Sequence, residues 1–380
     1  MSEVYITNIA RFLPNKPVAN EEMEEYLGLI SERHSKTKGV ILRNNKIKNR
    51  YYALDKNSRI THSNAEIAAA SVRALFPENE SELASIDLLC CGTSSPDQLM
   101  PSHGVMTHGC LPEIGSIEVA SASGVCCAGM HALKYAYLAV KAGDRKKAVA
   151  LGSERFSVFL RSEKFESEAR HLIEIEKDPI IAFEKDFLRW MLSDGSGAVL
   201  LEDKKAENGL SYRVDWIEGV SFADKRDTCM YAGAVKNEDG SLSGYMDLSD
   251  NEIIDESVLS IKQDVSLLGE NIVQLGVKRV KEIFDRKGIS IDEVDYLLPH
   301  ISSYYFEDKI YEEFKLNDME VPKEKFFVNL DRVGNVGAAS VYLMLEELPR
   351  SRKLKIGDKI LLLVPESARF SYMFAWLTVC

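Results

Sequence analysis

Two kinds of apolar pattern alternate along the chain. In one kind, apolar side chains recur every three or four residues, which predicts an amphipathic helix. In the other, a short apolar run rich in Leu, Ile and Val ends in Gly, Ser or Pro, which predicts a buried strand. Each helical segment is followed by a strand segment, so we expect α/β layers around a mostly buried sheet. Three such pairs are residues 64–76 with 86–94, 129–143 with 147–154, and 272–288 with 294–302.

A weak internal repeat predicts that the fold is duplicated. Residues 124–154 and 334–367 share a small-residue helix start, an amphipathic helix, a Gly-Asp pair, a buried strand and a loop with an acid. The repeat sets Cys127 against Asn335 near the two helix starts, and Glu154 against Glu366 in the two loops that follow the strands.

The repeat divides the chain into two predicted halves. We expect an N-terminal half over residues 1–205, ending after the strand GAVLLED, and a C-terminal half over residues 206–380. Residues 157–191 are charged and aromatic and interrupt the strand pattern. They predict an inserted helical segment that roofs a cavity or contributes to a subunit interface.

Composition and charge narrow the function classes. A hydrophobic share of 45% and a charged share of 28% are typical of a globular enzyme, and the net charge of −12 argues against nucleic acid or an anionic membrane as a partner. No apolar run is long enough to span a bilayer, and the N-terminus lacks a secretory pattern. Seven cysteines without metal-ligand spacing favour a reducing compartment, so we expect a cytoplasmic protein without a metal.

One basic stretch departs from the acidic average. Residues 36–50 carry several Lys and Arg side chains and no acid. A solvated basic face explains such a stretch, and so does a docking surface for a phosphorylated carrier or an acidic partner protein. The predicted docking residues are Arg43, Lys46, Lys48 and Arg50.

Three separated residues suggest acyl-transfer chemistry. Cys127, His300 and Asn335 each lie where a strand-like run gives way to a turn or helix. At the start of a helix, backbone N–H groups and the helix dipole favour the thiolate, which is the reactive form of cysteine. The other interpretation is that Cys127 is a small core residue, as most free cysteines are.

Five motifs in one order resemble those of the β-ketoacyl-acyl carrier protein synthase III enzymes of the thiolase superfamily. The resemblance implies an α/β thiolase fold, duplicated into five layers α-β-α-β-α and usually assembled as a homodimer. It further implies Claisen condensation between acyl thioesters. The motifs are GTSSPDQLMPSHG at 92–104, CAGM at 127–130, SDGSGAVLLE at 193–202, LLPHISS at 297–303 and VGNVGAASV at 333–341.

The resemblance also implies roles for single residues. Cys127 matches the acylated nucleophile, with Cys126 as its bulky neighbour, and His300 and Asn335 match the pair that bonds the thioester carbonyl of the second substrate. The backbone amides of Cys127 and Ala368 match the first oxyanion hole, although the loop PESARFSYM lacks the family's glycines. No cofactor is implied, because the substrates arrive as thioesters of acyl carrier protein phosphopantetheine or of CoA.

Glu154 suggests a more specific activity. It follows the buried strand KAVALG, and burial beside a cavity would raise its pKa and suit it to proton transfer. An ion pair at the surface or at a dimer interface is the alternative. Together, Glu154, the PESARFSY loop and the insertion make the chain resemble one branch of this family, the enzymes that make dialkylresorcinol or 1,3-cyclohexanedione precursors. There an acyl and a β-ketoacyl thioester condense and then cyclise.

Two other functions stay open. A starter-unit synthase would join an acyl thioester to malonyl carrier protein and release a linear β-ketoacyl product. A non-catalytic scaffold subunit would shape the tunnel of an active partner, but such subunits usually lose the nucleophile, which this chain keeps.

Overall fold

The computed structural model describes residues 2–30, 32–77, 80–165 and 187–380. The strands in these ranges are β1 (Tyr5–Phe12), β2 (Val18–Ala19), β3 (Asn49–Arg50), β4 (Leu88–Thr93), β5 (Glu118–Ser123), β6 (Lys147–Glu154), β7 (Gly195–Glu202), β8 (Tyr212–Ser221), β9 (Met230–Tyr231), β10 (Ala234–Lys236), β11 (Leu242–Gly244), β12 (Lys262–Gln263), β13 (Tyr296–Pro299), β14 (Lys359–Glu366) and β15 (Ser371–Val379). The α-helices are α1 (Met23–Leu27), α2 (Lys38–Asn45), α3 (Asn64–Arg73), α4 (His103–Gly109), α5 (Cys127–Ala142), α6 (Asp250–Asp255), α7 (Val265–Lys287), α8 (Tyr305–Leu316), α9 (Leu330–Val333) and α10 (Ser340–Ser351).

The main sheet repeats one strand arrangement twice. Among the described residues it has nine strands in the order β13-β14-β15-β8-β1-β7-β6-β4-β5. On one side β4 is parallel to β6, and β7 and β1 follow antiparallel; on the other side β13 is parallel to β14, and β15 and β8 follow antiparallel. The antiparallel pair β1 and β8 joins the two sets. The predicted duplicated α/β architecture is therefore confirmed.

Two helices, α5 and α10, each pack an apolar face into the core. The α5 residues Met130 and Leu133 and the α10 residue Leu343 are at most 1% exposed. The Tyr342 hydroxyl donates to the Gly129 carbonyl at 2.7 Å. A Cβ on Gly129 would lie 2.2 Å from the carbonyl oxygen of Ala338, so only glycine allows this close approach. The start of α5 and the segment before α10 are thereby held together at the centre of the molecule.

Two sequence predictions about domain organisation stay predictions. The proposed boundary near residue 205 falls between the end of β7 and the start of β8. Most of the predicted insertion, residues 166–186, lies outside the described residues. Its described flanks form short 3-10 turns at Phe156–Phe159 and Ser162–Lys164. In the part of the chain that is described, no helix is both long enough and apolar enough to cross a membrane.

Candidate active site

A cavity of about 280 Å3 opens where the two halves meet. Its wall combines residues from both halves, including Cys126, His300 and Asn335. This volume is close to the lower end of the roughly 300–1,000 Å3 range common for small-molecule sites. Most of the wall is apolar, as a site for acyl chains requires. Apolar wall residues include Phe156, Leu192, Leu268, Ile272, Val273 and Phe306.

Of the two adjacent cysteines, Cys126 lines the cavity. Cys126 immediately precedes α5 and is 9% exposed. Cys127 is 0% exposed, and its Sγ lies 3.4 Å from the carbonyl oxygen of Val364. That Cys127 is the acylated nucleophile and Cys126 its bulky neighbour stays a prediction.

Neither thiol has the depressed pKa that a helix start suggested. Burial first, and the carboxylate of Glu366 second, raise the pKa of the Cys126 and Cys127 thiols well above the ordinary value. Desolvation therefore outweighs any effect of the helix dipole on these two thiols. Whichever of them attacks a thioester must lose its proton as it does so.

His300 follows β13 and is held in its place by the sheet. Its backbone N–H donates to the Leu363 carbonyl at 2.8 Å, and its side chain lines the cavity. Burial lowers the pKa of the imidazole to about 4, so the ring is neutral at physiological pH. A neutral imidazole can donate a hydrogen bond to a developing oxyanion from its protonated nitrogen.

Asn335 has a fixed carboxamide. Its backbone N–H donates to Met191 O and its own carbonyl accepts from Ser193 N, both at 2.9 Å. The side-chain Oδ1 accepts from the Gly337 N–H at 3.0 Å. Because the oxygen is occupied, Asn335 offers the cavity its NH2 group. His300 and Asn335 therefore bring two neutral donors to the cavity. Their action on the thioester carbonyl of the second substrate stays a prediction.

The oxyanion hole predicted from the Cys127 and Ala368 amides stays a prediction. The Cys127 N–H already donates to Glu366 Oε2 at 3.0 Å. Ala368 does not line the cavity, although Pro365 and Ser367 on the same loop do. The Ala368 carbonyl accepts from the N–H groups of Cys229 and Met230.

Glu154 lies directly behind the cavity wall. It is fully buried at the end of β6 and does not line the cavity, although its neighbours Ser94 and Gly337 do. Its Oε1 accepts from the N–H groups of Ser94 and Ala338, both at 3.1 Å, and its Oε2 accepts from the hydroxyls of Thr93 at 3.2 Å and Ser95 at 2.5 Å. Glu154 is therefore not a surface ion pair. Its contacts join the two halves.

Two replacements of Glu154 should distinguish the effect of its proton on stability from the effect of its hydrogen bonds. Burial raises the pKa of this carboxyl from 4.5 to about 7, so the folded protein keeps a proton that the unfolded chain has lost. The wild type should therefore lose stability as pH rises from about 4.5 to about 7, and Glu154→Gln should remove that slope. Glu154→Ala should cost about 3 kcal/mol by leaving buried donors unpaired. Urea unfolding across this pH window checks both variants; equal slopes for wild type and Gln would contradict the assignment.

The predicted basic surface is smaller than the sequence suggested. Arg43, Lys46 and Lys48 are exposed, but Arg50 is 0% exposed. The Arg50 guanidinium donates to the carbonyl oxygen of Trp190 through Nε and Nη2, and burial lowers its pKa to about 10. Arg50 is therefore a structural residue and not a docking residue. Its strand register in β3 turns its side chain inward, whereas α2 and the turn after it face solvent.

The basic surface lies beside the cavity. Ser303 Oγ donates to the Asn44 carbonyl at 3.1 Å, which ties the end of α2 to the segment after His300. That segment supplies Ile301 and Ser302 to the cavity wall. Among the described residues, no group of three or more His, Cys, Asp and Glu side chains is arranged to hold a metal ion.

Glu366 is the site residue that the sequence did not assign. It ends β14, and its Oε2 accepts from the N–H groups of Val125 at 2.9 Å and Cys127 at 3.0 Å. The internal repeat had matched it to Glu154, which was the available signal, but gave it no role.

Part of the chain matches a known protein family, and nearly all of it aligns with known relatives. Residues 284–365 match the family described as 3-oxoacyl-[acyl-carrier-protein (ACP)] synthase III C terminal. The chain is 24% identical to β-ketoacyl-[acyl-carrier-protein] synthase III of Clostridium acetobutylicum over 370 residues, covering 95% of this chain and 94% of the relative.

Solved structures share the fold. AbyA1, a tetronic acid condensing enzyme, superposes with a TM-score of 0.77 at 20% identity, covering 98% of this chain and 99% of that one. OleA of Xanthomonas campestris, crystallised with lauric acid and lauroyl-CoA, gives a TM-score of 0.71 at 17% identity, covering 99% of both chains. The fold of the chain is thus the thiolase fold.

Proposed function

We propose that the chain condenses two acyl thioesters through an acyl group held on Cys126. The premise is that the chain is an acyltransferase and a condensing enzyme like β-ketoacyl-acyl carrier protein synthase III. The observation that carries this proposal is the meeting of three groups on one apolar cavity. Cys126 comes from the first half, and His300 and Asn335 come from the second.

The chemistry follows from the state of each group. The Cys126 sulfur attacks the first thioester, and the departing thiol takes the proton, leaving the acyl group on the enzyme. The second thioester then places its carbonyl oxygen against His300 and Asn335. This substrate becomes an enolate by losing CO2 or an α-proton. Charge then develops on that oxygen, and two fixed neutral donors stabilise it without ionising. The enolate carbon attacks the acyl carbon, the new C–C bond forms as the C–S bond to the enzyme breaks, and the released sulfur takes up a proton.

Cyclisation is the finer part of the proposal. The product would close to a 1,3-cyclohexanedione or dialkylresorcinol precursor, and the likeness to AbyA1, itself named a tetronic acid condensing enzyme, supports a condensing enzyme outside plain chain extension. Glu154 as the base for ring closure stays a prediction. Its carboxyl lies behind Ser94, so any proton would pass through that hydroxyl, which donates to Glu154 at 2.9 Å.

A starter-unit synthase with a linear product is the second candidate. The relatives named β-ketoacyl-[acyl-carrier-protein] synthase III favour it. A scaffold role is less well supported, because the cavity retains a thiol and both donors. Substrates on carrier protein or CoA, the absence of a cofactor and a cytoplasmic location are parts of the same proposal.

Product analysis tests the proposal. The protein is first loaded with an acyl thioester and followed by intact mass, and then receives either a malonyl or a β-ketoacyl carrier thioester. We expect one acyl adduct and a released condensation product. A cyclic product supports the cyclase branch, a linear product supports the starter-unit synthase, and no adduct with any donor would support the scaffold.

Carrier docking should depend on three cations. Changing Arg43, Lys46 and Lys48 together to Glu should lower kcat/KM for carrier-bound substrates about tenfold or more, because charge attraction mainly sets the rate of association. Small thioester mimics should be used unchanged, since the change leaves the cavity intact. Steady-state kinetics with both substrate forms measures this, and equal losses for both would refute docking here. Arg50 is left unchanged because it is buried.

A homodimer remains part of the proposal. In the described part of the sheet β5 is an edge strand, and an unpaired edge needs cover. Exposed apolar side chains lie around it, on α4, on α5 and just before α4. These are Leu99 at 70%, Met100 at 85%, Val105 at 49%, Tyr135 at 47% and Leu138 at 51% exposure. Pairing of two β5 edges would cover them.

A further inference from the structure

Gln263 is a buried polar residue on the cavity wall that the proposed function leaves without a role. It lies in β12, is 6% exposed and lines the cavity, as does its cross-strand neighbour Met230. Side chains alternate in direction along an extended chain. Ile261 and Gln263 both line the cavity, whereas Lys262 between them does not and donates from Nζ to the Glu256 carbonyl at 2.6 Å. The side chain of Gln263 therefore points into the cavity.

The carboxamide of Gln263 has no partner within the protein. No hydrogen bond joins it to any residue that the structure describes, and its oxygen and nitrogen are not enclosed by protein atoms. The wall residues that adjoin it are apolar, namely Met230, Ile261 and Leu268. A buried amide without a partner costs free energy, and a methionine or leucine would fill the same space without that cost. A bound group that pairs with the amide explains the glutamine, whereas packing does not.

Gln263 lies toward the end of the cavity that carries Cys126. The loop after β14, residues 366–368, contacts both places. The Ala368 carbonyl accepts from the N–H of Met230, opposite Gln263, at 3.2 Å. The carboxylate at the start of the same loop accepts from the amides on either side of Cys126. The Gln263 amide therefore faces the reacting part of a bound substrate and not the distant end of an alkyl chain.

A carboxamide in this setting selects a neutral oxygen. Its NH2 group donates to a carbonyl, and its oxygen accepts from a hydroxyl. The described part of the cavity wall has no Lys or Arg, so a free carboxylate would be buried there without a counter-charge. Among the substrates of the proposed function, the β-ketoacyl thioester carries a neutral oxygen on its chain, two carbons from the thioester carbonyl. A saturated acyl chain would leave the amide unpaired.

We infer, on the basis of the proposed function, that Gln263 is a specificity residue that donates a hydrogen bond to the 3-oxo group of a β-ketoacyl thioester. His300 and Asn335 bond the thioester carbonyl, and Gln263 bonds the ketone. The α-carbon that becomes the nucleophile lies between these two carbonyls, so the hydrogen bonds on both sides orient it. The enzyme thereby prefers a β-ketoacyl thioester to a saturated thioester of equal length.

Binding of two unreactive analogues tests the inference without acylation. Both are acyl-CoA analogues of equal chain length in which an amide replaces the thioester, and only one carries a 3-oxo group. The wild type should bind the 3-oxo analogue about tenfold more tightly, as expected for one net hydrogen bond. Gln263→Met should bind both analogues with the same Kd. This variant should also resist urea at least as well as the wild type, because it buries no unpaired amide. Isothermal titration calorimetry measures the affinities.

The matched control is Gln274→Met on α7, where the glutamine is exposed and does not line the cavity. This variant should keep the wild-type preference for the 3-oxo analogue. Gln263→Leu repeats the comparison should the methionine variant fail to fold.

Two results would overturn the inference and leave the proposed function standing. One is equal affinity of the wild type for both analogues. The other is an equal loss for both in Gln263→Met, which would place the carboxamide on the pantetheine arm that the analogues share. The proposed function is measured separately. Absence of an acyl adduct in the wild type with any thioester would overturn it, and the inference with it.

Discussion

We expect Cys126→Ala to abolish covalent acylation and Cys127→Ala to leave it in place. Only the Cys126 side chain lines the cavity, whereas Cys127 is enclosed in the core beside Val364. Without the cavity thiol, no enzyme thioester forms, and condensation should fall by at least 1,000-fold, on the order expected for loss of a nucleophile. Intact-mass measurement after exposure to an acyl thioester reads the adduct directly, and peptide mapping places it on one of the two adjacent cysteines.

The two variants are matched controls for each other. Both replace a cysteine by alanine within one helix start, so a general disturbance of α5 would affect them alike. Cys127→Ala removes a small buried side chain and should cost about 1 kcal/mol in unfolding free energy, without loss of acylation. An adduct that persists in Cys126→Ala and disappears in Cys127→Ala would return the nucleophile to Cys127.

Loss of either donor should stop condensation after acylation has occurred. His300→Ala and Asn335→Asp should each lower the condensation rate by about 10²–10³, because each removes a hydrogen bond that strengthens as the enolate forms. Asn335→Asp keeps an oxygen for the Gly337 N–H, so the turn stays in place while the NH2 donor is lost. Single-turnover measurements on pre-acylated enzyme separate this step from loading.

The pH profile of the condensation rate should show no step near 6.5, the ordinary pKa of a histidine side chain. Burial lowers the imidazole pKa to about 4, so the ring stays neutral on both sides of 6.5. The condensation rate of pre-acylated enzyme should therefore not change through His300 between about pH 5.5 and pH 8. If acylation fails in His300→Ala or Asn335→Asp, or if condensation continues unaltered, the two side chains do not act on the second substrate.

The sequence determined the fold class and the regions of the site. The spacing of apolar residues within each segment predicts whether it forms a helix or a strand and which face is buried. This spacing can be read from neighbouring residues alone. His300 follows a predicted strand, and Asn335 lies near a predicted helix start. In α/β folds, binding sites lie at such strand ends. These predictions required no knowledge of distant contacts.

The tertiary structure decided which side chains reach the cavity. Cys126 and Cys127 are chemically identical neighbours and both are buried, but only Cys126 is among the residues that line the cavity. Arg50 continues a basic run in the sequence but points into the core, because β3 alternates its side chains. Glu366 meets the start of α5 across 239 residues of sequence. Charge, burial and contact at such positions depend on distant segments, which local sequence patterns do not encode.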